Sequence, residues 1–276
     1  SPGTEWHIQP GSPCMDAGDD SLVQPDWLDM DGQPRWIGTH VDIGADESDG
    51  TAWISEIHPV ILVTPTGSDA NDGTSWNMAK QTVQAGINAA AGLSMEVWVK
   101  AGTYLERITL APGTHVYGGF AGTELRRHNR NWRQNTTILD GQQGGSVVTF
   151  MNGNPAAGWI DGFTIRNGFA SFGGGIHCAN SSLTITNNII VGNRASADGG
   201  AVYCDQSSMT IANSVLSGNL APNGSGAGIF CTGSSLMIAN NTITANTASD
   251  LGGGACFIDS TPVVANTIIA SNSSGI

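Results

Sequence analysis

Charge is what this sequence is short of. Lys and Arg together number 10 against 23 Asp and Glu, charged residues make up only 12%, and the formal net charge is −13. That charged fraction is about half of the usual value. An acid excess of this size offers no basic face to nucleic-acid phosphates. Aromatic residues are few, at 7%. No stretch approaches the roughly eighteen unbroken apolar residues of a membrane-spanning helix, so no span is expected. None of the five Cys forms a Cys-x-x-Cys pair, which removes zinc-ribbon and thioredoxin-like chemistry. Glycine, in contrast, is plentiful at 38 residues, without the every-third-residue spacing of collagen. Apolar content is ordinary at 39%. Glycine with abundant Asn, Ser and Thr describes short strands joined by tight turns, and with so little Lys it suggests an extracellular or cell-surface protein.

The few charges are unevenly placed. Residues 1–50 hold eleven of the acids and one base, Arg35, whereas Arg126, Arg127, Arg130 and Arg133 crowd four bases into eight residues. From 140 to 276 there are six Asp, two Arg and no Lys. Such a stretch reads as scaffold.

That scaffold repeats. The blocks GGGIHCANSSLTITNNIIVGN, GGAVYCDQSSMTIANSVLSGN, GAGIFCTGSSLMIANNTITAN and GGGACFIDSTPVVANTIIASN begin at Gly173, Gly199, Gly226 and Gly252, offsets of 26, 27 and 26. Asn187, Asn213, Asn240 and Asn266 share one column. Asn167, Asn193, Asn219, Asn246 and Asn272 share a second, and Cys178, Cys204 and Cys231 a third, continued by Phe257. Short alternating runs such as Leu183 to Ile185 and Ile189 to Val191 read as strands. A period in the twenties with Gly or Asn at the corners suits one coil of a parallel β-helix. Successive coils stand about 4.8 Å apart, so each column becomes a stack of like side chains. A buried Asn stack lets every carboxamide donate to one neighbour and accept from the other, which fixes register. Alternation sends the three Cys inward and leaves His177, Tyr203, Phe230 and Cys256 as an outward stripe. In-register Cys at this spacing are expected as buried free thiols, with one strained bridge as the alternative.

The segment before the repeats is compatible but less regular. Strand-like runs surround Val97, Ile108, Val116, Thr137 and Val147. Ahead of them, Thr74 and Ser75 are placed to cap a helix with the face Ala79, Val83, Ile87 and Ala90. Such a helix would cover the first coil, since open strand edges of a repeat array need caps. Nothing comparable is visible near Ile276. The expected organisation is a segment 1–50, a linker 51–60, a first strand and capping helix at 61–95, and a parallel β-helix over 96–276. The fold class is all-β.

Taken together, GSDANDGTSWNMAKQTVQAGINAA, VWVKAGTYLERITL, HVYGGFAGTE and the GGGI(x)C coils resemble bacterial surface proteins with right-handed parallel β-helix domains of the pectate-lyase-like superfamily. The resemblance covers most of residues 60–276 and concerns fold more than activity. Residues 8–47 are similar to the segment that closes such helices, here standing before a new start near residue 61. The resemblance thus implies the tail of one module joined to the head of the next. Two arrangements fit: a window of a tandem array, or a segment 1–50 that docks on a neighbouring chain's open end.

Pectate lyases use a carboxylate cluster for Ca²⁺ and a basic residue to take a proton from a polysaccharide. Here the coils offer Asp198, Asp205, Asp250 and Asp259 beside Arg166 and Arg194, with no Lys, and no catalytic residue is assigned. Ca²⁺ is a candidate ligand in the acidic segment, where Asp29 and Asp31 alternate before Gly32. Asp26, Asp42, Asp46 and Glu47 are within reach in sequence. Asp69 and Asp72 form a second, weaker candidate. His177, Tyr203 and Phe230 are candidates for a glycan or partner surface. Arg126, Arg127, Arg130 and Arg133 are candidates for an interface with an acidic segment, as are Val263, Ile268 and Ile276 at the last coil. The expected role is a non-catalytic structural module that stacks head-to-tail, with copies of itself or adjacent modules, into a filament, sheath or stalk. A lyase acting on acidic glycans and a carbohydrate-binding adhesin are the alternatives.

Overall fold

The computed structural model describes residues 59–93, 95–153 and 157–274. The segment 1–50, Cys14, the Asp29 and Asp31 pair and Ile276 lie outside the described residues. The chain is an all-β parallel solenoid. Its first sheet runs from Val60–Val63 through Glu96–Lys100, His115–Phe120, Gly158–Asp161, Ser182–Thr186, Ser208–Ala212 and Ser235–Ala239 to Thr261–Ala265. A second sheet of seven strands runs from Gly102–Tyr104 to Ile268–Ala270, and a third of six from Ile108–Thr109 to Ala255–Ile258. Four two-residue strands, Phe169–Ala170, Arg194–Ala195, Leu220–Ala221 and Thr247–Ala248, make a fourth. Each strand pairs in parallel with its counterpart one coil away. Ile176, Val202, Ile229 and Ala255 stand in register, which reproduces the steps of 26, 27 and 26.

Alternation decides which side chains go inside. Val202, Cys204, Ile211 and Leu216 are all fully buried, and Met209 nearly so. Five inward side chains per coil, each contributing about 1.5–3 kcal/mol on burial, supply the main driving force for stacking. The chain turns at columns of left-handed backbone. Asn187, Asn213, Asn240 and Asn266 have φ between 47° and 59°, and Asn accepts this region better than most residues. Gly192 and Gly218 occupy a second such column, where Ala245 and Ser271 also adopt φ of 55°.

The N-terminal end is closed. The helix α1 spans Val83–Ala90, later than Thr74 and Ser75 suggested, and its N-cap is Thr82, whose hydroxyl accepts from the Ala85 amide at 3.1 Å. Thr74 instead donates twice to Asp72 in a tight turn, and Ser75 precedes a single 3₁₀ turn, Trp76–Met78. Glu106 accepts the next two free helix amides, from Val83 at 2.8 Å and Gln84 at 3.1 Å. Val83, Ile87 and Ala90 pack on the solenoid core as expected, whereas Ala79 belongs to a separate cluster with Leu62, Trp98, Tyr117 and Phe120. Gly86 lets the helix approach closely, because a β-carbon there would meet Val63 at 2.6 Å and Val97 at 2.9 Å. The free side of the first strand is occupied as well. The Leu62 amide donates to Gly73 O, Lys80 N to Leu62 O, and Thr64 N to Lys80 O.

The last described coil differs. Val264 and Ile269 continue the inward columns of Ile238 and Ile243, both 0% exposed, yet are themselves 46% exposed. Replacing Ile243 by Ala is therefore expected to cost about 2–5 kcal/mol. The chemically similar Ile269→Ala should cost no more than about 0.5 kcal/mol. Urea unfolding of the two variants checks the contrast, and equal losses would contradict an open final coil.

Candidate functional site

Three turns of every regular coil carry the same hydrogen-bond device. In one, the amides of Gly153, Ser181, Ser207 and Ser234 each donate to the side-chain hydroxyl of the following coil, Ser181, Ser207, Ser234 and Ser260, at 2.9–3.1 Å. In the next, Phe163 donates to Asn188, Asn188 to Ser214, Ser214 to Asn241 and Asn241 to Thr267, always from backbone N–H to side-chain oxygen. In the third, Gly168 donates to Asn193, Asn193 to Asn219, Asn219 to Asn246 and Asn246 to Asn272, at 2.9–3.0 Å. The carboxamides of the third series also donate to one another, Asn193 to Asn219 at 3.1 Å and Asn219 to Asn246 at 2.9 Å. Asn193, Asn219 and Asn246 are fully buried.

This arrangement corrects two readings. Asn213, Asn240 and Asn266 are exposed corner residues and Asn187 is half-buried, so none belongs to a buried stack. The buried series lies one residue later, at Asn188, Ser214 and Asn241, and is continued by half-buried Thr267. The dipeptides Asn-Asn, Asn-Ser, Asn-Asn and Asn-Thr conceal it, because the eye takes the invariant first member and the interior takes the varied second. Asn167 also leaves its column. It is an exposed corner residue donating to Asp140 at 2.9 Å, and Gly168 occupies the place aligned with Asn193.

Cys178, Cys204 and Cys231 are buried free thiols stacked in register. Burial pushes Cys178 up to about 12, and burial together with the neighbouring thiols raises Cys231 further. Neither is a nucleophile near neutrality. The outer stripe is a run of ring contacts. Tyr203 stacks on Phe230 at 5.5 Å and 4°, His177 meets Tyr203 edge-on at 5.3 Å, and Phe172 leans on Tyr203 at 4.8 Å. Phe230 is only 7% exposed, so it offers no platform to a sugar ring. The tight turns at Gly199 and Gly226 lie against Tyr203 and Phe230 and leave no room for a β-carbon.

The arginine excursion is folded back on its own sheet. Arg127 pairs with Glu96 and donates to the Tyr117 hydroxyl at 2.9 Å, and Arg130 pairs with Asp161 and donates to Gly118 O at 2.8 Å. Both guanidinium groups lie over the Tyr117 ring, at 4.6 and 5.2 Å. Arg127 and Arg130 thus clasp the excursion to its own sheet. Arg133 covers Trp132 at 5.0 Å.

Nor do the described carboxylates converge on an ion. Among the described residues, no group of three or more His, Cys, Asp or Glu is arranged to hold a metal. Asp69 accepts from the amides of Gln81 and Thr82 and the Thr82 hydroxyl, while Asp72 is bound to Thr74. Asp198 accepts from Ser225 N at 2.7 Å and Asp250 from Ser225 Oγ at 3.3 Å. Arg166 is paired with Asp140 at 2.9 Å, and Arg194 lies over Phe169 at 5.5 Å. A shallow groove of about 490 Å³ on the outer face of the first sheet is lined by hydroxyls such as Thr184, Ser208 and Thr210, with Met237 and Val263. None of its lining residues is charged.

At the last coil, Val263 and Ile268 are 55% and 62% exposed but pair with the outward residues Met237 and Thr242. The apolar edge is carried instead by their successors Val264 and Ile269, with half-buried Phe257 continuing the Cys column. An alternation shifted by one residue makes the difference.

Two measurements probe this geometry. Asn219→Ala removes the acceptor of two buried Asn193 donors and should cost about 1–3 kcal/mol, whereas Asn213→Gly at an exposed left-handed corner should change stability by at most about 0.5 kcal/mol. Comparable losses in chemical unfolding would contradict the placement. The second concerns acid. Burial alone would raise Asp140 and Asp69. Amides, side-chain donors and a nearby cation outweigh it, namely Gln142 N, Asn167 and Arg166 for Asp140, and Thr82, Gln81 and Lys80 for Asp69. Both are held below the ordinary value of 3.8. A depressed carboxyl contributes stability above its unfolded value and loses it as pH falls through the folded one. Melting temperature should hold down to about pH 4 and fall below it, and the Asp69→Asn, Asp140→Asn double variant should show a flatter acid limb.

Residues 174–276 match a family model described as "Right handed beta helix region". No curated protein and no solved structure matches the chain. The stretch is thus similar to right-handed β-helix regions, in agreement with the parallel coils of the described residues.

Proposed function

We propose that this chain is a non-catalytic structural module of an extracellular or cell-surface protein, extended through its last coil into a filament, sheath or stalk. One observation carries the reading: Val264 and Ile269 continue fully buried columns but stand 46% exposed, on three parallel sheets that end together at Ala255–Ile258, Thr261–Ala265 and Ile268–Ala270. Open parallel edges with an apolar interior invite further strands. The opposite end is closed by α1 and the loop 73–80, so growth through the coils has one direction. The neighbour is another copy of the chain or an adjacent module of a tandem array. Since the first described coil is covered, a copy would have to engage the edge through another part, and the segment 1–50, similar to closing segments of β-helices, is the part proposed.

The two alternatives have less behind them. A lyase for acidic glycans needs a basic partner in its cleft, and the groove on the first sheet is lined by neutral residues. An adhesin using His177, Tyr203 and Phe230 would need exposed rings, but Phe230 is covered.

Electron microscopy of the purified chain, with Ca²⁺ and with chelator, tests the proposal. Uniform fibres are expected from the unchanged chain, and the double variant Val264→Asp, Ile269→Asp should leave isolated rods. Fibres in Ca²⁺ alone would put a metal at the junction. Isolated rods from the unchanged chain, or identical fibres from the variant, would refute assembly of copies through this edge.

A further inference from the structure

Three Asn residues of the chain are followed directly by Gly: Asn152, Asn167 and Asn223. Such pairs carry a chemistry of their own, because the amide nitrogen of Gly can attack the preceding carboxamide carbon with no β-carbon in the way. All three Asn side chains are exposed and all three glycines are buried, so accessibility does not distinguish them. The attacking nitrogen does. Gly153 N is committed to Ser181 Oγ and Gly168 N to Asn193 Oδ1, both at 2.9 Å and both across to the next coil. The same device follows Asn180, Asn187, Asn213 and Asn240. The amides of Ser181, Asn188, Ser214 and Asn241 each donate to a side-chain oxygen of the following coil. Gly224 N belongs to none of these series. It donates to Ala221 O at 3.3 Å and closes a local turn with Pro222 and Asn223 at its centre.

We infer that Asn223 is a site of spontaneous deamidation in the folded chain, while the inter-coil bonds protect Asn152 and Asn167. Gly224 N gives up its proton to hydroxide and bonds to Asn223 Cγ. The Cγ–Nδ2 bond breaks, and the nitrogen leaves as ammonia with a proton taken from water. Water then opens the resulting cyclic imide at one of its two carbonyl carbons. Opening at Cγ gives Asp, and opening at the main-chain carbonyl gives isoaspartate, whose backbone runs through the side-chain carbon. The net change is amide plus water to carboxyl plus ammonia, with no oxidation or reduction. At Asn223 only the local turn has to open, and a long bond within one loop frays without parting the coils. At Asn152 and Asn167 the nitrogen becomes free only when two coils separate. The loop holds its labile pair for a steric reason: a β-carbon at Gly224 would meet Asp198 Oδ1 at 2.5 Å and Ala197 O at 2.7 Å. This is also the loop that absorbs the extra residue of its coil, so the added backbone atom of isoaspartate falls where length already varies. Either product removes the bond from Asn223 Nδ2 to Ser196 O, 3.2 Å long, and adds a carboxylate to a loop packed against Asp198. The site is a slow, one-way change of charge on one loop of the solenoid.

Peptide mapping of the full chain by mass spectrometry tests the assignment. The protein is held in warm, mildly alkaline buffer, folded or in urea, and digested in acid, which suspends the reaction. In the folded chain the mass gain of amide-to-acid exchange is expected at Asn223 roughly tenfold or more faster than at Asn152 or Asn167, the factor that opening a buried amide bond imposes. In urea the three sites should convert at similar rates, because each is followed by Gly. Conversion at Asn223 no faster than at the other two in the folded chain would overturn the inference. So would the same ratio in urea, which would assign the difference to local sequence. Ser181→Ala tests the protecting bond itself by removing the acceptor of Gly153 N. Conversion at Asn152 should then rise severalfold, with Asn167 and Asn223 unchanged. The parent rate at Asn152 in this variant would overturn protection by the inter-coil bonds.

Discussion

Every feature of this solenoid depends on keeping successive coils in register. Parallel strands alone do not guarantee it. A slip of one residue turns an inward column outward, and a slip of two preserves the alternation while misaligning every turn. The amide-to-side-chain bonds at the three turns remove that freedom, since Asn219 can accept from Asn193 only when the intervening segment has its full length. The coil from Tyr203 to Phe230 is one residue longer than its neighbours, yet the series at Ser207, Ser214 and Asn219 keeps its spacing. The extra residue is absorbed in the loop between Asn219 and Ile229, outside the three turn series. Register is fixed at the three turn series and relaxed in that loop.

The same logic separates columns that look alike in sequence. Asn is useful to a β-helix for two unrelated reasons. Its backbone tolerates φ near 55°, and its carboxamide both donates and accepts. Asn187 and its counterparts serve the first purpose, Asn193 and its counterparts the second. Repetition reveals that both columns matter without revealing which property each uses. The coil class, the period, the buried thiols and the inward apolar columns could be read directly, because alternation and period are properties of sequence. The helix cap could not, because Thr74, Ser75 and Thr82 are equally good caps in isolation. The choice was made by Asp69 and Glu106, which hold the Thr82 turn and the first helix amides from outside the helix. Likewise Arg127 and Arg130 look like free cations until the fold brings Glu96 and Asp161, 31 residues away in each case, beneath them.

Chemistry follows from the same economy. A β-helix that fills its turns with neutral acceptors and its core with aliphatics and buried thiols has few groups left to activate water or hold a cation. The carboxylates of Asp69, Glu96, Glu106, Glu124, Asp140 and Asp161 are spent on amides, side-chain donors or arginine. Burial lowers the pKa of His177, so its imidazole is neutral near physiological pH, packed against Tyr203 rather than poised over an open cleft. The exposed apolar positions of the last described coil are Val264 and Ile269, in columns that are otherwise buried.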